Sequence, residues 1–229
     1  MTRTIHSILL TGALAIFTAG CTEIRSQAPF GEQQPPGKND AKKLDGVWHS
    51  PATKREMRNK FTFEFSPDGK TCTLTTENAD RKTRRYTVEF RKVETGVEGS
   101  PEHLVFYRPE DAPQSGWGFG WTGMVLNADE NAGIVLVIPD EKAFKALGLP
   151  TAKFEDPGLA LGIPEKKGEK SAGTLLTATP DEIVGKLKGK DLRTFMWATF
   201  PLVLLRHEPP MPPEEPAKPA ATPPASAKN

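Results

Sequence analysis

The stretch "KFTFEFSPDGKTCTLTT", residues 60–76, decides the fold class of this chain. Phe61, Phe63 and Phe65 recur at every second position, which is the spacing of a strand that buries one of its faces. The next residues, "SPDG", contain the Pro, Asp and Gly that favour a tight turn. "TCTLTT" then alternates again. The stretch therefore predicts a β-hairpin.

The segments on either side of this hairpin continue the strand pattern. "GVWHS" (46–50) is typical of a short first strand, and "RRYTVEFRKVE" (84–94) alternates apolar with charged residues, as in an antiparallel sheet with one buried face. "HLVFYR", "WGFGWTGMVL" and "GIVLVI" predict further strands. "TFMWATFPLVLLR" (194–206) predicts a last strand, with a bulge or an edge at its proline.

Two similar stretches in the second half predict short helices. "PDEKAFKALG" (139–148) and "PDEIVGKLKG" (180–189) each begin with Pro, carry acids in the first turn and end with Gly. Thr179 and Glu182 have the spacing of a capping box. The likeness reflects either the shared rules of helix ends or a duplicated strand–helix unit. The intervening stretch 147–173, rich in Gly, Pro and Lys, predicts a long loop.

The acidic residues of these helices are explained by the helix ends, where carboxylates interact favourably with free N–H groups. They are therefore not candidates for catalysis. These residues are Asp140, Glu141, Asp181 and Glu182.

The start of the chain has the layout of a secretory signal peptide. Arg3 precedes an apolar run over residues 8–17, and small residues lead to Cys21. The run is too short to cross a bilayer, which takes about 20 apolar residues. Residues 1–20 are therefore predicted to be a signal peptide.

"TAGC" (18–21) resembles the lipobox of bacterial lipoproteins, with Thr18 where that family usually has Leu. The resemblance implies cleavage before Cys21, a diacylglycerol on its thiol and acylation of its new amino group, commonly by palmitate. Thr22 is not the Asp that favours inner-membrane retention in this family. The resemblance thus implies a lipid-anchored envelope protein, on the outer membrane of a two-membrane cell, facing the periplasm or the outside.

Composition divides the remainder of the chain. Residues 21–41 are polar and rich in Pro and Gly, which predicts a flexible tether. Residues 207–229 predict a disordered, Pro-rich tail. A single globular domain is expected over 42–206. We expect an α+β fold, mostly β: an antiparallel, barrel-like or strongly curved sheet of about eight strands, with two short helices in the second half.

Charge and cysteine content exclude several classes of protein. Lys and Arg number 30 against 29 Asp and Glu, so no basic field would recruit nucleic acid. Besides Cys21 the chain has only Cys72, and an intrachain disulfide is not expected once Cys21 is lipidated. Cys72 alternates with threonines, which predicts a small buried side chain rather than a reactive thiol.

The chemistry-bearing motifs of enzymes are missing from the sequence. The histidines at 49, 103 and 207 have no metal-ligand spacing, and G-x-S-x-G does not occur. "GFGWTGMV" (118–125) matches a dinucleotide fingerprint, but it continues as a strand instead of opening a helix. We therefore expect no enzyme, no cofactor and no metal.

The same glycine-rich strand carries an aromatic row. Trp117, Phe119 and Trp121 share one face, whereas Gly118 and Gly120 leave the other face bare. The row is either part of the core, which we favour because large aromatics are usually buried, or a contact surface for an apolar or sugar ligand.

Gly46-Val47-Trp48 resembles the G-x-W signature that opens the lipocalin barrel. In that family an Arg after the last strand packs on the Trp, and Arg206 stands at that position here. The resemblance implies that Trp48 and Arg206 meet and close the sheet. The two strand–helix units depart from the lipocalin pattern of one meander and one helix. This departure argues against both a closed barrel and a ligand cavity inside it.

Two functions follow as expectations. The first is a non-catalytic binding module for a small apolar molecule or lipid, with a cavity lined by apolar side chains. The second is a structural or assembly lipoprotein that docks another envelope protein through an exposed apolar patch. In both, the membrane partner is reached through the lipid on Cys21.

Overall fold

The computed structural model describes residues 23–50, 59–78, 81–126, 132–156, 171–196 and 202–206. Within them the protein is mostly β, with three α-helices and two 3-10 turns. Cys21 and the predicted signal peptide and tail lie outside the described residues.

The described residues form twelve strands, where about eight were expected. In chain order they are β1 (Glu23–Ser26), β2 (Glu32–Gln33), β3 (Gly46–His49), β4 (Lys60–Phe65), β5 (Cys72–Glu77), β6 (Thr83–Lys92), β7 (His103–Pro109), β8 (Trp117–Leu126), β9 (Ala132–Val137), β10 (Thr151–Asp156), β11 (Ser171–Leu176) and β12 (Leu202–Leu205). The helices are α1 (Lys38–Leu44), α2 (Glu141–Lys145) and α3 (Pro180–Leu187).

All twelve strands belong to one hydrogen-bonded sheet. Eleven of them follow the order β10-β11-β1-β8-β7-β6-β5-β4-β3-β12-β9, and β2 pairs with the end of β6. The middle of this order, β3 to β8, is an antiparallel meander of neighbours in sequence. The predicted hairpin at 60–76 is confirmed as β4 and β5, and the turn glycine Gly69 has φ +73.

The long strand β8 has three partners. Its first half pairs with β7 on one edge and with β1 on the other, where Arg25 opposes Gly118. From Trp121 to Leu126 it pairs with β9, and β9 pairs in turn with β12. β12 meets β3 at one position, Leu205 opposite His49.

Residues 23–44 differ from the predicted flexible tether. They contribute β1, β2 and α1, and β1 lies between β8 and β11 with its last three residues buried. Its pairing with β11 is parallel, so the sheet is mixed rather than purely antiparallel. The sequence hides β1 because a four-residue strand with two charged side chains shows no apolar periodicity. Its stability comes from partners that are distant in the chain.

The predicted loop at 147–173 is also partly wrong. It contains β10 and the start of β11, which pair antiparallel at the end of the sheet. Gly173 is a glycine because an added Cβ would collide with the Glu23 carbonyl and the Phe154 ring. A strand position without a side chain has no hydrophobic pattern to detect.

The two helices of the second half have different ends. In α3, Pro180 follows the N-cap Thr179, and the predicted capping box with Glu182 is confirmed. In α2, by contrast, Asp140 itself is the N-cap and accepts a hydrogen bond from the Lys142 amide. The residues that the two stretches share therefore have different structural roles. This favours the explanation by common rules of helix ends over a duplicated strand–helix unit.

The sheet buries apolar side chains on both faces. One cluster lies between the sheet and the helices α2 and α3, and includes Leu104, Phe106 and Phe144. We call that side the helix-covered face. The second cluster forms on the other side from Trp48, Phe61, Cys72, Leu74, Tyr86, Val88, Val105, Tyr107 and Leu204. We call this side the aromatic face.

Candidate functional site

The aromatic face is built by strict alternation along four neighbouring strands. Paired residues of antiparallel strands point to the same side. The register places Phe65, Cys72, Val88 and Tyr107 in one row across β4 to β7, and the row continues to Gly118 on β8. The hairpin periodicity found in the sequence therefore creates a continuous apolar surface.

One part of this face is only partly covered. Leu44, Phe63, Phe65 and Phe90 are half-buried and pack against the aromatic cluster. The rings of Phe65 and Phe90 stack with centroids 5.9 Å apart and planes 24° apart. We call these four residues the apolar rim. The alternation in the sequence predicts a buried face for Phe63 and Phe65 and contains no sign that they remain accessible.

Other apolar side chains of the described surface are also partly accessible. Among the side chains whose burial is described, Val47 is the large hydrophobic residue with the greatest exposed fraction, 39%. Trp121, Leu175 and Leu205 are half-buried. The apolar rim differs from them because its four members pack against one aromatic cluster and form a single group.

The structure brings Trp48 and Arg206 together. The Arg206 guanidinium carbon lies 4.5 Å from the centroid of the Trp48 ring, and Trp48 is fully buried. Arg206 also donates to the carbonyls of Asp45 (2.7 Å) and Lys43 (3.0 Å), at the end of α1. Trp48 Nε1 donates to the Leu44 carbonyl at 2.8 Å. Both side chains thus satisfy carbonyls that the end of a helix leaves free.

The backbone conformation at Gly46 explains why the G-x-W stretch begins with glycine. Its φ of +100 lies in a region that side chains disfavour, and an added Cβ would approach the Arg206 guanidinium to 3.1 Å. Gly46, Trp48 and Arg206 therefore connect the end of α1, the start of β3 and the residue after β12.

The aromatic row of β8 lies on the helix-covered face. Trp117 and Phe119 are 5% and 0% exposed, and Trp121 is half-buried against the same cluster. The Arg108 guanidinium carbon lies 4.6 Å from the Trp117 ring centroid. This burial favours the core interpretation over a ligand contact. Gly118 lies on the opposite face, where the Tyr107 ring occupies the space that a Cβ would take.

Two titratable side chains of the aromatic face, Cys72 and Tyr107, have raised pKa values. Burial raises the pKa of the Cys72 thiol to about 12. Burial, reinforced by the nearby Glu23 carboxylate, raises the pKa of Tyr107 well above its ordinary value. A thiol is nucleophilic as the thiolate, so Cys72 is chemically inert here. Cys72 and Tyr107 therefore contribute apolar contact to the aromatic face.

A buried ion pair stands beside the aromatic face, and no pattern in the sequence predicts it. Arg25, 1% exposed, contacts both carboxylate oxygens of Glu23 at 3.1 and 3.0 Å and donates to Ser115 Oγ at 2.6 Å. Its guanidinium carbon lies 4.5 Å from the Phe154 ring centroid. The Tyr107 hydroxyl donates to Glu23 at 3.5 Å. This network ties β1 to β7, β10 and the turn before β8.

Other groups have structural roles in the described residues. Asp140 and Glu182 cap helices, and Glu141 pairs with Lys145 at 2.7 Å and accepts from Thr174. Within the described ranges, no group of three or more His, Cys, Asp or Glu side chains is placed to hold a metal. None of the described helices has the length and apolar character needed to cross a membrane.

Comparisons of the chain with protein-family models, with curated proteins and with solved structures found no match.

Proposed function

We propose that this protein is a lipid-anchored envelope lipoprotein whose domain is a non-catalytic binding module for a small apolar molecule or lipid. The observation that carries the proposal is the apolar rim of Leu44, Phe63, Phe65 and Phe90. These side chains are half-buried and adjoin one another at the aromatic cluster, where the rings of Phe65 and Phe90 stack. Apolar area left in water is costly, and a ligand covering it would gain about 25 cal/mol per Å² buried.

We further propose that the sheet closes into an eight-stranded barrel of β3, β4, β5, β6, β7, β8, β9 and β12. Support comes from β8, which pairs with β9 beyond its contact with β1, and from β12, which meets both β9 and β3.

Amide hydrogen exchange tests this closure at β12. If the sheet closes as proposed, the β3–β12 pairing extends beyond Leu205 and His49, and the amides of residues 202–205 that point to either neighbour are protected. If β12 pairs with β9 alone, alternate amides exchange rapidly, and the barrel proposal is lost.

Binding to the rim is tested with N-phenyl-1-naphthylamine, an apolar probe whose fluorescence rises in dry surroundings. We expect saturable binding that weakens about tenfold in Phe65→Ala and in Phe90→Ala, since each loses roughly 1.4 kcal/mol of contact. Val47→Ala is the matched control, because Val47 is exposed but lies outside the rim. Equal probe affinity in all four proteins would refute the site.

The lipid anchor is tested separately. Cys21→Ser should abolish lipidation and leave unprocessed or soluble precursor. Mass spectrometry of protein taken from membranes should find a diacylglyceryl mass at Cys21, and its absence would refute the anchor whatever the rim binds.

A further inference from the structure

The first described strand lies very close in sequence to the proposed lipid site. Thr22 alone separates Cys21 from Glu23, the first residue of β1. Two residue steps reach at most about 7 Å. A flexible tether of the predicted length would have left the domain free to turn above the membrane, but this short connection would not.

β1 is firmly held in the sheet. Ile24, Arg25 and Ser26 are 2%, 1% and 0% exposed, and the strand pairs with β11 on one edge and β8 on the other. The Arg25–Glu23 ion pair adds side-chain contacts to Ser115 and Tyr107. Lipid attached two residues before Glu23 would therefore act on a fixed point of the domain.

Strand directions define which end of the sheet lies at this point. β1 runs antiparallel to β8, and β8, β7, β6 and β5 alternate in direction. β1, β7 and β5 therefore begin at one end of the sheet, where β4 and β6 finish. We call this the anchor end. The turn at Pro113–Ser115, between β7 and β8, lies at the opposite end.

Three of the four residues of the apolar rim lie toward the anchor end. Phe65 is the last residue of β4, Phe90 lies two positions before the last residue of β6, and Leu44 ends α1 just before β3 begins. Continuing the β1–β8 register places Glu23 beside Gly120, whose row across the sheet includes Val105 and Phe90. Glu23 and Phe90 are thus three strand spacings apart, about 14 Å.

We propose that the lipid on Cys21 holds the domain directly against the phospholipid bilayer, with the anchor end and its apolar rim facing the lipid. The proposal rests on the lipid anchor and on the rim proposed above. It adds an orientation of the domain. The apolar rim faces the bilayer surface, and the end of the sheet that carries Pro113–Ser115 points away from it. The bilayer itself is the partner of this surface.

The test uses full-length lipoprotein in phosphatidylcholine vesicles that contain a nitroxide-labelled lipid quencher. Single cysteines carry a fluorescent label at Lys70→Cys, in the exposed turn between β4 and β5 at the anchor end, or at Gln114→Cys at the far end. Both positions are exposed. Cys72 stays unlabelled because it is buried and its pKa is raised to about 12, and unsubstituted protein verifies this.

We expect the nitroxide to remove most of the fluorescence at Lys70→Cys and little at Gln114→Cys. Inserting a Gly/Ser linker of about 12 residues between Thr22 and Glu23 adds roughly 20 Å of reach. It should abolish the difference between the two labels. Equal quenching at both positions without the linker, or stronger quenching at Gln114→Cys, would overturn the orientation.

Failure of the orientation is distinguishable from failure of the proposals beneath it. The lipid mass at Cys21 reports the anchor, and probe binding by the Cys21→Ser protein in solution reports the rim. If both succeed and quenching is still equal at the two ends, the orientation alone is wrong.

Discussion

At the scale of the residue, the Arg206 guanidinium lies over the Trp48 ring and donates to the carbonyls of Lys43 and Asp45. Arg206→Ala removes the cation–π contact and both hydrogen bonds, so we expect a loss of about 1–3 kcal/mol in the free energy of unfolding. Urea denaturation measures the change. Arg206→Lys keeps the charge but loses the planar guanidinium with its two donor groups. Its free energy of unfolding should lie between those of the unsubstituted protein and Arg206→Ala.

Arg85→Ala is the control for that prediction. Arg85 is exposed and makes a surface ion pair with Glu110 at 3.6 Å, a kind of contact that contributes about 0–1 kcal/mol. Equal effects of the Arg206 and Arg85 substitutions would show that the contacts of Arg206 with Trp48, Lys43 and Asp45 do not stabilise the fold.

The glycines allow a matched pair of substitutions. Gly118→Ala forces a methyl group toward the Tyr107 ring in a buried strand, and we expect it to destabilise by about 1–3 kcal/mol. Gly185→Ala, inside α3, meets no atom within 4 Å and should stabilise by about 0.5–1 kcal/mol, since Ala favours helix. Thermal unfolding should therefore shift in opposite directions, and a shared direction contradicts the assigned packing.

Cys72 gives a prediction about alkaline pH. Its folded pKa is raised to about 12, so the folded state keeps a proton that the unfolded thiol loses near pH 8.5–9. This contribution to stability is complete below that pH and is lost as pH rises toward 12. Cys72→Ala should lose that part of the pH dependence. At pH 8, a thiol reagent should label Cys72 in urea but not in native protein, and full native labelling would contradict its burial.

At the scale of the element, a substitution in β1 tests whether residues 23–26 are a folded strand or a flexible tether. Ile24 is 2% exposed and packs in the cluster on the helix-covered face, so Ile24→Ala should cost about 2–5 kcal/mol. Glu32→Ala in the exposed strand β2 is the control and should change stability by less than about 0.5 kcal/mol. A near-zero effect of Ile24→Ala, measured by urea denaturation, would restore the tether interpretation.

At the scale of the whole molecule, β7 couples the two apolar clusters. Leu104 and Phe106 enter one cluster, while Val105 and Tyr107, from alternate positions of the same strand, enter the other. Neither cluster can then lose its packing while β7 stays in place. We expect one calorimetric transition, with calorimetric and van't Hoff enthalpies in agreement.

Substitutions on the two faces test this coupling. Phe61→Ala on the aromatic face and Phe144→Ala under the helices remove fully buried rings, so each should cost about 3–5 kcal/mol. Both should move the single transition as a whole. Two resolved transitions, each sensitive to one substitution, would show that the faces unfold independently.

The sequence by itself determined the elements whose information is local. The alternation of Phe61, Phe63 and Phe65, the turn chemistry around Gly69 and the capping box of Thr179 and Glu182 each act within a few residues. The mostly β class and the buried Cys72 follow from such patterns. They were readable because a strand face or a helix end depends on neighbours in the chain.

Only the tertiary structure decided which segments pair across long distances. β1 and β10 have little pattern of their own, and they are strands because β8 and β11 supply partners for their backbone groups. The buried Arg25 is tolerated because Glu23, Ser115 and Phe154 surround its charge. The accessibility of Phe65 and Phe90 likewise depends on what covers the sheet. Such coverage is a property of the assembled fold, because alternation reports which face a side chain occupies and not whether that face is buried.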